Sequence, residues 1–315
     1  MLVSVICPVL NGSRYIEKNI IHFFLKSKIN DKELIIIDGG STDDTRSIVL
    51  NQIKKHSNIH LVNNPHKYVP HALNIGIRCS KGEFIARLDV HTKYPENYLE
   101  ICIDLLRNTK ADNVGGTLIS LGLSKKGKAI SYCMSSIFGV GNSTPRIKLF
   151  DGFVDAVAFG FWARSSFDKY GLFNELLIKN QDEEHNFRIK EMGGKIYQSS
   201  ALLTKYFVRE NFFELVKQMY NYGRFKPIVL FKNYKRIRVR HLIPPIFTLY
   251  LCILLICFNF LMILPISIYL ILNIYFSFKS NNKFSIKLLC IITYFYMHIS
   301  YGFGFIVGLI RGSKN

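Results

Sequence analysis

Residues 33–45 read ELIIIDGGSTDDT, and this stretch decides the fold. Leu34–Ile37 is an unbroken apolar run, rich in β-branched Ile, that closes on Asp38. Such a run, bounded by turn residues, reads as a strand buried on both faces. Gly39-Gly40 then permit a sharp turn. Ser41 or Thr42 is placed to cap a helix running through Ile53. The strand–turn–helix pattern continues on either side. Upstream, Val3–Val9 is a β-branched strand, followed by an amphipathic helix over Ile16–Leu25. Downstream, Ile59–Val62 predicts a third strand, Pro70–Arg78 a helix, and Phe84–Leu88 a fourth strand closing on Asp89. Strands alternating with helices predict an α/β fold with a mostly parallel sheet. Ligands in such sheets bind beyond the carboxyl ends of the strands, where Pro8, Asp38 and Asp89 fall.

Several residue groups could carry chemistry. The Asp38 carboxylate can accept hydrogen bonds from a ribose or a base N–H, and the glycines after it let a ligand approach the backbone. A plain helix-capping turn explains the same residues. In Asp89-Val90-His91, positions two apart on an extended segment point the same way, so one carboxylate and one imidazole could meet a divalent ion. That donor set suits Mn²⁺ or Mg²⁺, with a nucleotide diphosphate completing the shell. Gln181-Asp182-Glu183-Glu184-His185 places three acids in a row. They either complement a helix N-terminus or supply a general base that takes a proton from an attacking hydroxyl. Gln218-Met219-Tyr220-Asn221-Tyr222-Gly223-Arg224 is polar and aromatic. It could hold a diphosphate by charge-assisted bonds or lie on a bilayer as an amphipathic helix.

Charge divides the chain. Of 315 residues, 41 are Lys or Arg and 22 are Asp or Glu, a net +19. Every acid lies at or before Glu214, so residues 1–214 carry +6 and the last 101 residues carry +13 with no acid at all. Ile246 to Phe276 contains no charged residue. About 20 apolar residues span a bilayer as a helix. These 31 are too many for one upright span, and Pro265 suggests a broken helix or tight hairpin. A second apolar stretch, Leu288–Ile310, carries His298, Ser300, Gly302, Gly304 and Gly308 and reads as a further span or a re-entrant helix. A buried core helix is the alternative for both stretches.

Arg224, Lys226, Lys232, Lys235, Arg236, Arg238 and Arg240 precede the first stretch, and Lys279, Lys283 and Lys287 follow it. Cationic flanks stay on the cytoplasmic side and bind anionic lipid. The expected organisation is a catalytic domain over 1–214, a basic juxtamembrane segment over 215–243, and membrane-embedded helices over 244–310, with a hairpin at 246–276. The N-terminus MLVSVICPVLNG has no basic leader or small-residue cleavage site and reads as a strand. Seven cysteines show no CxxC or zinc spacing, which fits a reducing compartment. The excess charge flanks apolar segments and no recognition module is visible, which argues against a nucleic-acid partner.

The motifs PVLNG (8–12), IIIDGGSTDDT (35–45), ALNIGI (72–77), KGEFIARLDVHTKYP (81–95), FDKYGLFNE (167–175), NQDEEHNFRI (180–189) and QMYNYGRFK (218–226) occur in this order. Together they resemble the family-2 glycosyltransferases of the GT-A fold, a Rossmann-like architecture. They look most like the succinoglycan-biosynthesis (ExoA-like) branch, whose C-terminal tail HISYGFGFIVGLI (298–310) also resembles. The resemblance implies a nucleotide-sugar site with Pro8, Asn11, Asp38, Asn74, Arg87 and Asp89. Gly39 stands where the common pattern has a second Asp. It implies that Asp89 and His91 bind Mn²⁺ or Mg²⁺, His91 replacing the last Asp of a DxD motif. Asp182 becomes the base, supported by Glu184 and Arg188. Gln218, Tyr222 and Arg224 fall at a phosphate or product site, with Asn221 and Tyr222 in place of the Arg and Trp of a QxxRW motif.

The implied activity is inverting transfer of a hexose from a nucleotide sugar, a UDP-sugar, to a lipid-linked saccharide in exopolysaccharide or cell-surface glycan synthesis. The enzyme would sit at the inner membrane with its catalytic domain in the cytoplasm. Two alternatives stay open at this level: a polyprenyl-phosphate glycosyltransferase, whose already ionised acceptor needs no base, and an inactive membrane-anchored scaffold.

Overall fold

The computed structural model describes residues 1–141, 146, 149–231, 237–257, 260 and 263–311. The expected basic positions Lys232, Lys235 and Arg236 lie outside the described residues. Two compact units result: Met1–Ile119 with Lys148–Tyr206, and Ser120–Ile147 with Phe207–Asn315.

The first unit is built on a nine-stranded sheet. β1 (Val3–Val9), β2 (Lys32–Asp38), β3 (Ile59–Asn63) and β4 (Phe84–Arg87) form the half that the sequence outlines. They pair in parallel, in the order β3-β2-β1-β4. Parallel strands need crossovers, and helices supply them. α1 is assembled from Ser13–Tyr15, a π-turn at Ile16–Ile21 and His22–Lys26. α2 is Thr45–Ile53 and α3 is Val69–Cys79.

Beyond β4 the sheet changes sense, so it is mixed rather than mostly parallel. β5 (Thr92–Lys93) is followed by α4 (Tyr98–Thr109) and β6 (Asn113–Leu121). After β7 (Gly152–Phe153) and β8 (Ala158–Ala163) come α7 (Ser165–Tyr170), α8 (Gln181–Glu191) and β9 (Ile196–Phe207). β8 is antiparallel to both β4 and β6, and β9 is antiparallel to β5 and β7. Gly115 and Gly116 sit in β6 because a Cβ there would strike Val157 and the Leu202 carbonyl.

Alternation along the strands sorts the core onto two faces. Val3, Val5, Cys7 and Val9 pack with Ile16, Ile20 and Phe24 of α1 and with α4. Ile6, Ile35 and Ile37 pack with Ala72, Leu73 and Ile77 of α3, with Trp162 and with Ile189 of α8. Each fully buried Ile or Leu stabilises the fold by about 1.5–3 kcal/mol.

The second unit is helical. It contains α5 (Lys125–Met134), α6 (Ile137–Val140), α9 (Phe212–Leu230), α10 (Val239–Ile256), α11 (Ile263–Phe278) and α12 (Phe284–Arg311). α9 and α12 lie side by side and parallel. Phe212 meets Tyr296, while Gly304 and Gly308 lie against the Tyr220 and Arg224 carbonyls. Gly223 lies equally close to the Tyr301 carbonyl. Small residues four apart let backbones approach in this way. Gly302 makes the corresponding approach to α10 at Pro244 and Thr248. The Phe138 ring of α6 is enclosed by Tyr269, Phe276, Tyr294 and His298.

The described residues of the apolar stretch 246–276 lie mainly in two helices, and α10 begins upstream of it at Val239. Pro265 sits in the first turn of α11, where its missing N–H costs nothing. α10 and α12 are long and apolar enough to cross a membrane. The 16 residues of α11 reach only about 24 Å at 1.5 Å per residue.

Candidate active site

The carboxyl ends of β1 and β2 are level, Val9 pairing with Asp38. There the 38–45 turn is tied to residues 11–13. Ser41 and Thr42 do not cap the helix as expected. α2 starts at Thr45, because both hydroxyl residues are engaged elsewhere. Ser41 donates from N (3.1 Å) and Oγ (2.6 Å) to Asp38 and accepts the Asn11 N–H at 2.8 Å. Thr42 N donates to Asn11 Oδ1 at 2.8 Å. Asn11 has φ of +51°, a conformation that Asn tolerates better than most residues.

Asp43 accepts the Ser13 N–H at 3.0 Å and the Thr45 N–H at 3.1 Å. Its carboxyl is opposed by desolvation but held down to about 2 by its bonds to Thr45 and Ser13. Asp38 is 1% exposed. Burial opposes its ionisation, yet the Ser41 bonds and Arg46 Nη1 at 2.6 Å hold it below the usual carboxylate range. Arg46 also reaches Asn63 Oδ1 at 2.8 Å. These bonds brace the end of the parallel half of the sheet.

β4 ends at Arg87, so Asp89-Val90-His91 is a turn and not the extended segment expected from sequence. Within it the backbone N–H of His91 donates to Asp89 Oδ1 at 2.8 Å. The turn is held by Asn19 Nδ2, which donates to the Val90 carbonyl at 3.1 Å, and by the Asp89 N–H, which donates to Tyr94 Oη at 2.8 Å. Burial, then the Asp89 charge, push the Tyr94 phenol well above its usual range, so it stays neutral. The His91 ring stands edge-on to Tyr15, with centroids 5.1 Å apart. Among the described residues no three His, Cys, Asp or Glu side chains converge as a complete metal site.

α8 presents its acids unequally. The N-cap Asn180 has φ of +64°, and Asp182, Glu183 and Glu184 occupy the first turn, where the helix dipole favours negative charge. The Glu184 side chain is 7% exposed and is bound by Arg188 Nη2 at 3.1 Å. Arg188 also donates to the Tyr170 and Leu172 carbonyls at 2.6 and 2.8 Å. Glu184 and Arg188 therefore lock the helix to the preceding loop. Asp182 is open, its side chain 41% exposed, and its Oδ2 lies 3.6 Å from Arg87 Nη1; Glu183 is also only partly buried. Arg87 is 6% exposed. Its Nε and Nη1 make no hydrogen bond, and its guanidinium lies over Phe159 at 5.9 Å.

Arg87 and Asp182 thus meet two residues before the Asp89–His91 turn. Pro8 and Asn11 lie at the end of β1 and just beyond it. Asn74 is 2% exposed, and its amide is engaged by Phe173 N (2.9 Å), the Phe173 carbonyl (2.9 Å) and Glu175 (2.8 Å). It fastens α3 to the 173–175 loop. Gln218, Tyr222 and Arg224 belong to the second unit, on α9, where Gln218 Nε2 donates to Tyr222 Oη at 3.1 Å. Sequence reasoning assigned no role to Tyr94 or Asn19. Phe159 has φ of +64° and precedes Gly160 at +78°. A positive φ at an aromatic residue is an outlier of the kind that gathers at functional sites.

The model of the family described as "Glycosyl transferase family 2" matches residues 4–171, more than half of the chain. The chain belongs to glycosyl transferase family 2.

This glycosyltransferase is 26% identical over 322 residues to a dolichyl N-acetyl-α-D-glucosaminyl phosphate 3-β-D-2,3-diacetamido-2,3-dideoxy-β-D-glucuronosyltransferase of Methanococcus voltae, covering 99% of this chain and 98% of the relative. It is 25% identical to the succinoglycan biosynthesis protein ExoA of Rhizobium meliloti (strain 1021), covering 76% and 73%. Among solved structures, S. aureus TarS 1–349 superposes with a TM-score of 0.52 at 14% identity, covering 76% of this chain and 68% of TarS. That likeness is one of fold and agrees with the mixed α/β sheet described above.

Proposed function

We propose that this glycosyltransferase moves a hexose from a UDP-sugar to the saccharide of a lipid-linked acceptor, with inversion at the anomeric carbon. The observation that carries the reading is the Arg87–Asp182 pair, with Nη1 and Oδ2 3.6 Å apart. It sets an open carboxylate beside a buried cation whose free N–H groups suit a leaving diphosphate. Asp182 removes the proton of an acceptor hydroxyl. That oxygen bonds to the anomeric carbon from the face opposite the diphosphate, the bond to UDP breaks, and an α-linked donor gives a β-linkage. Pro8, Asn11 and Asp38 frame the nucleotide, with Arg87 and Asp89 towards the phosphates. Asp89 and His91 would hold Mn²⁺ or Mg²⁺, which when bound offsets charge developing on the diphosphate. Glu184 and Arg188 position Asp182.

The relatives support this chemistry. The Methanococcus enzyme's name describes a β-linked sugar placed on a dolichyl-phosphate-linked sugar. TarS has been solved with UDP and with UDP-GlcNAc, the latter complex superposing with a TM-score of 0.51. In the same reading, 1–214 is catalytic, the basic 215–243 segment lies at the cytoplasmic face of the inner membrane, and 244–310 is embedded in it.

The test is UDP release and sugar transfer by the purified full chain with a panel of UDP-sugars, run with Mn²⁺, with Mg²⁺ and with EDTA. Asp182→Asn is expected to lower transfer by about 10²–10⁴-fold while leaving the donor KM nearly unchanged. Asp89→Ala is expected to abolish the metal dependence. Full transfer by Asp182→Asn would remove the base assignment.

A further inference from the structure

Helices α9 and α12 enclose an apolar groove of about 550 Å³, lined by Phe213, Val216, Lys217, Tyr220, Ile299, Ser300 and Phe303. Volumes of this order, mostly apolar with one or two polar groups, are typical of small-ligand sites. The α9 members fall at i, i+3, i+4 and i+7, one stripe of the helix. The α12 members fall at i, i+1 and i+4. Two of the walls stand open, since Phe213 is 78% and Phe303 53% exposed. Tyr220 and Phe303 face each other at 6.2 Å.

Lys217 is the only charged residue in this lining. It makes no ion pair among the described residues; the nearest acid in sequence is Glu214, one turn before it on α9, outside the groove lining. One wall is a helix long and apolar enough to cross a membrane. A soluble partner would have to cover two large exposed aromatic rings beside a cation. A long hydrocarbon chain carrying a phosphate matches both features at once.

We infer that this groove binds the hydrocarbon chain of a polyprenyl phosphate lipid, with Lys217 taking the phosphate. The inference rests on the proposal that the acceptor is lipid-linked, and it names where that lipid is held. The aromatic walls take the chain by burial of apolar area. The ammonium supplies a charge-assisted contact to the phosphate.

The experiment uses the full chain in nanodiscs of zwitterionic diacyl lipid. Retention of a polyprenyl monophosphate is measured by native mass spectrometry against the uncharged polyprenol and against a diacyl phosphatidic acid. UDP-sugar hydrolysis is followed in the same samples. The wild type is expected to retain the polyprenyl phosphate at least tenfold better than either comparison lipid. Phe213→Ala/Phe303→Ala should lose that preference. Lys217→Gln should weaken retention about fivefold, and Lys217→Arg should restore it. Hydrolysis should be unchanged in all three, which also shows that the exposed substitutions leave the protein folded.

Equal retention of the phosphate and the polyprenol, equal retention of phosphatidic acid, or unaltered retention in the double variant would overturn the inference. Absence of UDP-sugar turnover with groove-dependent retention intact would strike the proposed reaction and leave the lipid site standing. Turnover with groove-independent retention would do the reverse.

Discussion

Arg87 is nearly excluded from solvent, and its guanidinium has one carboxylate beside it and two N–H directions with no acceptor. Its replacement therefore tests more than charge. Arg87→Gln should lower kcat/KM by about 10²–10³-fold, the range found when one preorganised donor is removed from a developing anion. Arg87→Lys should recover little, because an ammonium cannot reproduce the planar fork.

His185 makes a separate prediction, about stability. Burial, then the Arg188 charge, lower its pKa to about 3 from an ordinary 6.5. The folded protein keeps it neutral while the unfolded chain protonates it near 6.5. Its contribution is complete above that pH and is lost as pH falls from 6.5 towards 3, at up to about 1.4 kcal/mol per pH unit. Trp162, the chain's single tryptophan, stands edge-on to His185 with centroids 5.8 Å apart. Thermal unfolding followed by its fluorescence at pH 7 and pH 4.5 should show a marked loss in the wild type and a flatter profile in His185→Phe.

At this scale the sequence made some features visible and hid others. Asp89, His91 and Asp182 stand out as candidates because they are acids and an imidazole beside strand and helix ends. Asn74 looks equally polar in sequence, yet its bonds to Phe173 and Glu175 come from residues about a hundred positions away. The positive φ of Phe159 could not be recognised, because nothing in its side chain foretells it.

The element scale divides in the same way. The strands Val3–Val9, Lys32–Asp38, Ile59–Asn63 and Phe84–Arg87 are mainly apolar runs bounded by polar turn residues, which are local signals. The strands after them pair through distant partners: Thr92 with Tyr206, Gly152 with Gln198. No window of sequence contains both members, and two-residue strands have no periodicity to read.

The glycines of 298–310 are clear in sequence but their purpose is not. Gly304 and Gly308 form a seam in which the α12 backbone meets the carbonyls of α9, while Gly302 faces α10. Gly304→Leu should force these helices apart at a cost above the about 1–3 kcal/mol of ordinary overpacking, because the obstacle is backbone. Gly304→Ala should show a smaller effect of the same sign. Cys133 Sγ bonds the Cys290 carbonyl within this unit, and both thiols are buried. Faster labelling of Cys133 and Cys290 by a maleimide would register the separation. Labelling at the wild-type rate in Gly304→Leu would mean that the seam does not hold the helices.

For the whole molecule, charge and apolar length predict two kinds of membrane attachment that respond differently to solvent. The basic surface interacts with anionic lipid over a Debye length that shrinks from about 10 Å at 0.1 M salt to about 3 Å at 1 M. Apolar helices are insensitive to this screening. Half of the apolar window of α12 is buried, against 17% for α10, so α10 has the larger exposed apolar face. Full-length protein in native membranes should resist 1 M salt and carbonate washing and require detergent for release. Release by salt alone would show that the helices lie on the bilayer without entering it.

The second unit is also discontinuous in the chain. α5 and α6 are made early, but their partners arrive late: Cys133 waits for Cys290, 157 residues on, and Ser136 waits for Tyr294. At roughly 5–20 residues per second the delay is roughly 8–30 s. During that time the first unit's parallel strands are already present while a nascent apolar segment has nothing to cover it. α12 thus completes a structure begun by α5 and α6. A ribosome stalled near Lys283 would display that uncovered segment, and chaperone binding there should end when α12 emerges.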